Sequence, residues 1–556
     1  MNWRLIAKLL GALLMLQSLF VGVCWGVSVV DAYDQSEVSS KALLGSFLFG
    51  LILGRILLSV GSETQEVTRW QDWLLVKFLG FSQTGEITKR EGVAVVGLGW
   101  IVAGLYGAIP YIFAEPGLSV ADAIFESVSG FTTTGSTVMA DIESYSRSIL
   151  LWRAMTQWLG GVGILVLFVA LLSAIGVGGK MLFSNESSFQ RMDSLFSRSH
   201  EMALMLMNAY LVLSLICFVG LKVLGMTWFN ALTHAMTTVS TGGFSPHNAS
   251  IGFYRDWETS AGIQLWLSAF MVICSVNFLI GIILTYGAYK DRAAIVGQLK
   301  HWFQYIRQRA RASEESETVE VKKHRFSRYW RRLAQEEEAV WFLWLVFIGT
   351  LLFAVGIEMV DSFTGNGWEA ICEGLFMVSA IASTTGFGLS DYSQWPVFCQ
   401  VFLALIMLLG GCAGATAGGM KVGRFKVCLK MSLNEVLKTF RPNVVSKITL
   451  NGYSLDAPNR RSIVVFTFLY FFVIVVGAFL FSVMEVGKGY DLETSVGAIF
   501  ATFPNIGPGF GELGPTDHFG GLRDVTKVFL SLLMILGRLE LFAILIFFSP
   551  SFWKRY

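Results

Sequence analysis

Apolar residues fall in long runs near 5–30, 42–60, 92–113, 148–175, 201–224, 260–289, 338–360, 395–430, 461–484 and 522–549. An α-helix needs about 20 apolar residues to cross the hydrocarbon core of a bilayer, so the pattern predicts ten spans. Shorter segments lie between several of them. They are Asp122–Thr137 (DAIFESVSGFTTTGST), Trp228–Ser245 (WFNALTHAMTTVSTGGFS), Trp368–Gly388 (WEAICEGLFMVSAIASTTGFG) and Asp491–Gly511 (DLETSVGAIFATFPNIGPGFG). Each opens with an amphipathic stretch of about 12 residues, too short to cross, and closes on small polar residues and glycine.

After the first two spans, the order span, short segment, span recurs four times, and internal repetition of this kind governs the fold. A short helix that enters from outside and returns as irregular backbone is a re-entrant loop, tolerated at membrane depth only against protein or water. Four such loops about one axis line a pore. The expected fold is therefore an all-α polytopic membrane protein, with four pore-loop repeats in pseudo-fourfold arrangement and two extra N-terminal helices. The corresponding units are two helices in 1–61, repeat one in 90–176, repeat two in 200–289, a charged insertion at 290–337, repeat three with an intramembrane loop in 338–431, and repeat four in 460–550.

Composition narrows the function. Apolar and aromatic residues make up 54% of the 556 and charged residues only 15%, against roughly 25% charged in ordinary soluble domains, which excludes a soluble enzyme. The net charge of +2 gives no reason to expect nucleic acid. No metalloprotease or serine-hydrolase motif occurs, and GVGGK at 176–180 lacks the spacing of a phosphate-binding loop. An enzyme is not expected, nor a nucleotide site in this chain. The seven cysteines form no C-x-x-C pair and read as packing residues.

The apolar run Leu9–Val30, behind Arg4 and Lys8, is longer than a signal-peptide core and reads as a retained first span. With the N-terminus inside, Lys41, Arg147, Lys222, Arg255, Lys488 and Arg523 are the only six basic residues in outer segments. That asymmetry predicts both termini in the cytoplasm. The insertion carries 12 basic residues between Lys290 and Arg332. It reads as a solvated linker or as a docking segment for a partner or anionic lipid.

A dehydrated monovalent cation needs a ring of oxygens in place of its water. Glycine permits a loop to turn successive carbonyls to one side. Aligned on the potassium-channel filter pattern, the loops place Thr133, Thr134 and Gly135 beside Thr241, Gly242 and Gly243, then Thr384, Thr385 and Gly386, then Asn505, Ile506 and Gly507. These twelve are the expected potassium-binding residues. The preceding short helices would point their negative dipole ends at the ion.

Two features lie inside spans. LGGCAGATAGG at 409–419 makes a poor helix, since each glycine costs about 1 kcal/mol against alanine. It reads as close helix packing or as a flexible intramembrane loop, with Gly410, Gly411, Gly414, Ala415, Gly418 and Gly419 as candidate gate residues. Arg538 sits within the last span, where insertion costs at least about 2.5 kcal/mol. A partner such as Glu540 or a polar cavity must compensate. Glu126, Glu373, Asp391, Glu493, Glu512 and Asp517 fall where they could concentrate cations at an outer mouth.

These motifs resemble the Trk/Ktr/HKT superfamily of potassium uptake proteins, membrane subunits of the bacterial TrkH and TrkG type. The resemblance is carried by GFTTTGST, HAMTTVSTGGFS, ASTTGFG and NIGPGFGELGP, with RAMTQWLGGVGILV at 153–166 and LGRLELF at 536–542. It covers essentially the whole chain. It implies potassium uptake through a gated channel-like pore in a bacterial inner membrane, a homodimer, and control by a cytosolic nucleotide-binding ring of the TrkA type. It also favours a gating role for 409–419 and for a pore-facing Arg538. The membrane potential supplies about 2.3 kcal/mol per charge per 100 mV; a Na⁺- or H⁺-coupled symporter is the alternative. Pro504 departs from the pattern, and its rigid φ and missing N–H are expected to shift the entrance of the fourth loop.

Overall fold

The computed structural model describes residues 1–31, 36–61, 88–163, 199–276, 336–360, 365–443, 447–541 and 545–553. All but the last two residues of the predicted insertion lie outside these, as do the far ends of predicted repeats one (164–176) and two (277–289). The chain is mostly helical. Among the described residues six helices are long and apolar enough to cross a membrane. Three belong to α1 (Trp3–Val30), α2 (Glu37–Gly61) and α3 (Lys89–Gly107), the last prolonged by the short α4 (Ile109–Phe113). The other three belong to α7 (Ser199–Val223), α10 (Glu337–Glu358) and α14 (Ala457–Met484).

Their outward faces are apolar yet exposed, Phe468, Phe472, Val475 and Phe479 on α14 among them. Such a surface suits lipid rather than water as solvent. Close to the N-terminus, the Glu91 carboxylate ties two spans together. It closes a capping box with Thr88 at the start of α3 and accepts the N–H of Asn2, which itself caps α1, at 2.7 Å.

The short segments form α5 (Val120–Phe131), α8 (Trp228–Val239), α11 (Gly367–Ala382) and α15 (Leu492–Thr502). At 1.5 Å per residue, the 12 residues of α5 reach about 18 Å, short of the roughly 30 Å core. All four begin in the same way. Ser119, Thr227, Asn366 and Asp491 each accept a backbone N–H three residues on, from Asp122, Asn230, Glu369 and Thr494. This satisfies an otherwise orphaned donor.

The helices that follow are α6 (147–163), α9 (Ser260–Ser275), α12 (Val397–Leu409) and α16 (Asp524–Arg538). Two predicted spans are corrected here. The run 395–430 is two helices, because α12 stops at Gly410 (φ 68°) and α13 (Val422–Phe440) starts only after an irregular stretch. The run 522–549 ends its helix at Arg538, followed by Glu540 and Leu541 at φ 55° and 60°. The glycines of 409–419 offer the first break as one of two readings, while hydrophobicity alone carries no information on the second. One further element was not predicted, a hairpin of β1 (Thr449–Leu450) and β2 (Tyr453–Ser454). Ile448, Leu450 and Leu455 cluster there with Val427 of α13 and Ile463 of α14, and the short α17 (Pro550–Trp553) closes the described chain.

Candidate functional site

Each short helix ends in a loop of one backbone design. Beyond the cap comes a left-handed residue, then one residue outside the left-handed region, then a left-handed glycine. The left-handed pairs are Thr133 and Gly135 (φ 53°, 89°), Thr241 and Gly243 (55°, 82°), Thr384 and Gly386 (55°, 77°), Asn505 and Gly507 (61°, 110°). Three β-branched residues at positive φ are costly, about 1–3 kcal/mol each, and such strain persists only where the surroundings enforce it. Enforcement comes from the helix ends. Thr134 N donates to Ser129 O, Gly242 N to Thr237 O, Thr385 N to Ala380 O and Ile506 N to Ala501 O, all at 2.8–2.9 Å.

The loops close on one another in sequence order. A Cβ built on Gly135 would strike Gly242 O, one on Gly243 would strike Thr385 O, one on Gly386 Ile506 O, and one on Gly507 would lie 2.9 Å from Thr134 O. Four carbonyls, one from each loop, therefore sit beside the glycine of the neighbouring loop, and the fourth returns to the first. All four glycines also line one cavity, together with Asp517 and His247. All twelve sequence-predicted ion-binding residues are thus brought together.

Pro504 proves well placed. The cap residues of the other loops, Thr132, Ser240 and Ser383, have φ of −74°, −75° and −78°, close to what the proline ring imposes. The fourth loop keeps the common pattern and loses only the cap N–H bond that those three donate.

Below the ring lies the stretch 410–421, buried along most of its length. Gly418 N donates to Thr384 Oγ1 at 2.7 Å, and a Cβ on Gly418 would strike Pro504 O. Thr416 Oγ1 lies 3.3 Å from Thr241 Oγ1 and from Cys274 O. The candidate gate glycines, with Ala415 between them, belong to this stretch, which touches loops two, three and four at once. Arg538 Nη1 donates to Thr416 O at 2.7 Å, while its Nε and Nη2 are buried with no partner among the described residues. Glu540 does not pair with Arg538. It binds Arg424.

Three bases next to this stretch, Lys421, Arg424 and Lys426, are engaged within the chain, Arg424 by Glu540. Lys421 Nζ bonds Ala417 O at 2.6 Å and Lys426 pairs with Glu337 at 2.7 Å. The six predicted mouth acids also divide. Glu126 is buried and pairs with Arg153 at 2.6 Å, Glu373 pairs with Arg255 at 2.9 Å, and Asp391 caps Ser393 N. Glu493 and Glu512 are exposed. Only Asp517 lines the cavity onto which the glycines open.

Residues missed from sequence lie on α6. Arg153 and Gln157 bond to loop two; they lie in the RAMTQWLGGVGILV motif that carries the resemblance, but nothing in that motif tied them to this loop. Glu338 was missed too. Its carboxylate accepts Ala413 N of the intramembrane stretch at 3.1 Å and Asn451 Nδ2 of the hairpin at 3.4 Å.

His247 stacks on Phe253 with 3.7 Å between centroids, near His234 and Tyr254. Its Nε2 faces Asn230 Nδ2 and its Nδ1 faces Glu143 Oε1. Burial pushes its pKa below the usual histidine range, against the pull of Glu143. The folded state therefore binds fewer protons than the unfolded chain between that lowered value and about 6.5. Stability is present above the unfolded pKa and lost as pH falls through the folded one. Thermal unfolding followed from about pH 8 to about pH 5 is expected to show an acid loss that His247→Gln reduces; equal acid slopes would refute it.

Comparison with known proteins gives the chain its family. The sequence pattern of the TrkH family, described as a cation transport protein, matches residues 68–555. The Trk system potassium uptake protein TrkH of Halomonas elongata is 34% identical over 472 residues, 84% of this chain and 87% of its own. The corresponding TrkG of Escherichia coli K12 is 30% identical over 84% of this chain and 86% of its own. The crystal structure of the potassium transporter TrkH from Vibrio parahaemolyticus matches over the whole of both chains, with a TM-score of 0.78 and 28% identity. With its apolar spans, its four capped short helices and these relatives, the chain belongs to the TrkH family of membrane cation transport proteins.

Proposed function

We propose that the chain takes up potassium through a gated, channel-like pore, with the four loop carbonyls as its selectivity filter and the membrane potential as driving force. The observation that carries the reading is the closed order of contacts among Gly135, Gly243, Gly386 and Gly507 and the carbonyls of Gly242, Thr385, Ile506 and Thr134. Oxygens in a ring at helix C-termini replace the water of a monovalent cation. The repeats at 90–176, 200–289, 338–431 and 460–550 each supply one loop, and 1–61 supplies the two additional helices. The stretch 410–421 and Arg538 form the gate. The chain works as a homodimer in a bacterial inner membrane, with both termini cytoplasmic, and a cytosolic nucleotide-binding ring of the TrkA type controls it.

At about 2.3 kcal/mol per 100 mV and about 1.4 kcal/mol per tenfold ratio, voltage alone supports roughly 50-fold accumulation. Radiolabelled rubidium flux into liposomes at clamped potential, with Na⁺ and pH gradients varied separately, tests this. Flux that follows voltage alone is expected. Flux that requires a Na⁺ or H⁺ gradient at fixed voltage would instead assign a coupled symporter.

A further inference from the structure

The residue before the left-handed glycine carries a side chain in three loops, as Thr134, Thr385 and Ile506. In loop two it is Gly242. The two threonines brace their own loops: Thr134 Oγ1 lies 2.7 Å from Thr132 Oγ1, and Thr385 Oγ1 lies 2.6 Å from Ser383 Oγ. Gly242 is not a left-handed position, so its backbone makes no demand for glycine. The demand is one of space, because a Cβ there would strike the side chain of Gln157.

Gln157 comes from α6 and occupies the place of the missing side chain. Its Nε2 donates to Gly242 O at 2.6 Å and its Oε1 accepts Phe244 N at 3.0 Å, so one amide straddles Gly243. One turn earlier, Arg153 holds the next residue. Its Nη1 donates to Ser245 O at 2.8 Å, its guanidinium sits 3.6 Å over the Phe244 ring, and its Nε is fixed on Glu126 Oε1. Gly242 O is the carbonyl that faces Gly135, so the Gln157 amide sets the junction of loops one and two.

We propose that Gln157 is a positioning residue for cation selectivity, replacing in loop two the hydroxyl brace that Thr134 and Thr385 supply in loops one and three. The proposal rests on reading the four loops as the filter. Removing the amide leaves Gly242 O and Phe244 N without their partner and lets the most permissive loop drift.

The test is the K⁺/Na⁺ permeability ratio in liposomes, per folded molecule, with thermal stability measured alongside. Gln157→Ala is expected to lower the ratio about tenfold, and Gln157→Met, which keeps the volume, to do the same with a smaller loss of stability because it leaves no cavity. Gly242→Thr alone also lowers it, since the threonine meets Gln157. The double variant Gln157→Ala with Gly242→Thr recovers selectivity, because the new hydroxyl can reach Ser240 as Thr385 reaches Ser383. A purely structural role would not produce that rescue. An unchanged ratio in Gln157→Met, or a double variant no better than the singles, overturns the proposal. Gly135→Ser serves as reference. If it loses selectivity while the Gln157 variants do not, the brace falls and the filter stands; if neither responds, the filter reading falls as well.

Discussion

Gly386→Ala should abolish most rubidium uptake. Gly386 has φ 77° and a Cβ there would strike Ile506 O, which is backbone and cannot rotate away. Left-handed strain of about 1–3 kcal/mol adds to displacement of an oxygen from the ring. At about 1.4 kcal/mol per factor of ten, flux per folded molecule is expected to fall about a hundredfold. Gly452, in the hairpin, provides the control. It too has positive φ, at 82°, but open space around its Cβ position, so Gly452→Ala carries the strain without the collision and should leave flux near wild type. Equal flux in Gly386→Ala and wild type would remove loop three from the ion path.

Arg538→Ala should raise flux in the absence of any cytosolic partner. The guanidinium acts twice. Its Nη1 holds the intramembrane stretch at Thr416 O, a charged hydrogen bond of about 1.5–3 kcal/mol. On the gating proposal, its charge also repels a cation approaching the ring. At a separation of about 6 Å and an effective dielectric of about 20 that repulsion is roughly 3 kcal/mol, or about a hundredfold in rate. Arg538→Lys keeps the charge but shortens the reach to Thr416, so its leak should fall between those of wild type and alanine. A purely structural arginine would behave differently: the alanine variant would lose thermal stability while flux per folded molecule stayed unchanged.

The four loops were legible because each repeats a pattern that physics reads locally: a capping residue, an amphipathic stretch too short to cross, then Thr/Asn-x-Gly. One such segment means little, and four in register identify a ring. The supports of the ring were not legible. Gln157 and Arg153 serve a loop about 90 residues further along the chain, and nothing in the sequence couples them. Arg538 was recognised by its cost in an apolar run, yet its partner is a backbone carbonyl, which no side-chain pattern reveals. The same applies to Lys421, whose partner is Ala417 O. Pro504 carried the opposite lesson, since a residue that looked disruptive fits a φ the other loops already adopt.

The four ring positions lie on one polypeptide and follow one another in chain order. In a pore built from identical subunits, a single codon change alters every quadrant together. Here it alters one, and the remaining three stay as they were. On the proposed reading of the ring as a filter, selectivity can therefore drift in small increments, with intermediates that still conduct. Loop two already differs from its siblings, with a glycine and a neighbour's amide where loops one and three have a threonine. A filter of the proposed construction can hold four different solutions to the same coordination problem, and its ancestry should be visible as divergence between quadrants within a single chain.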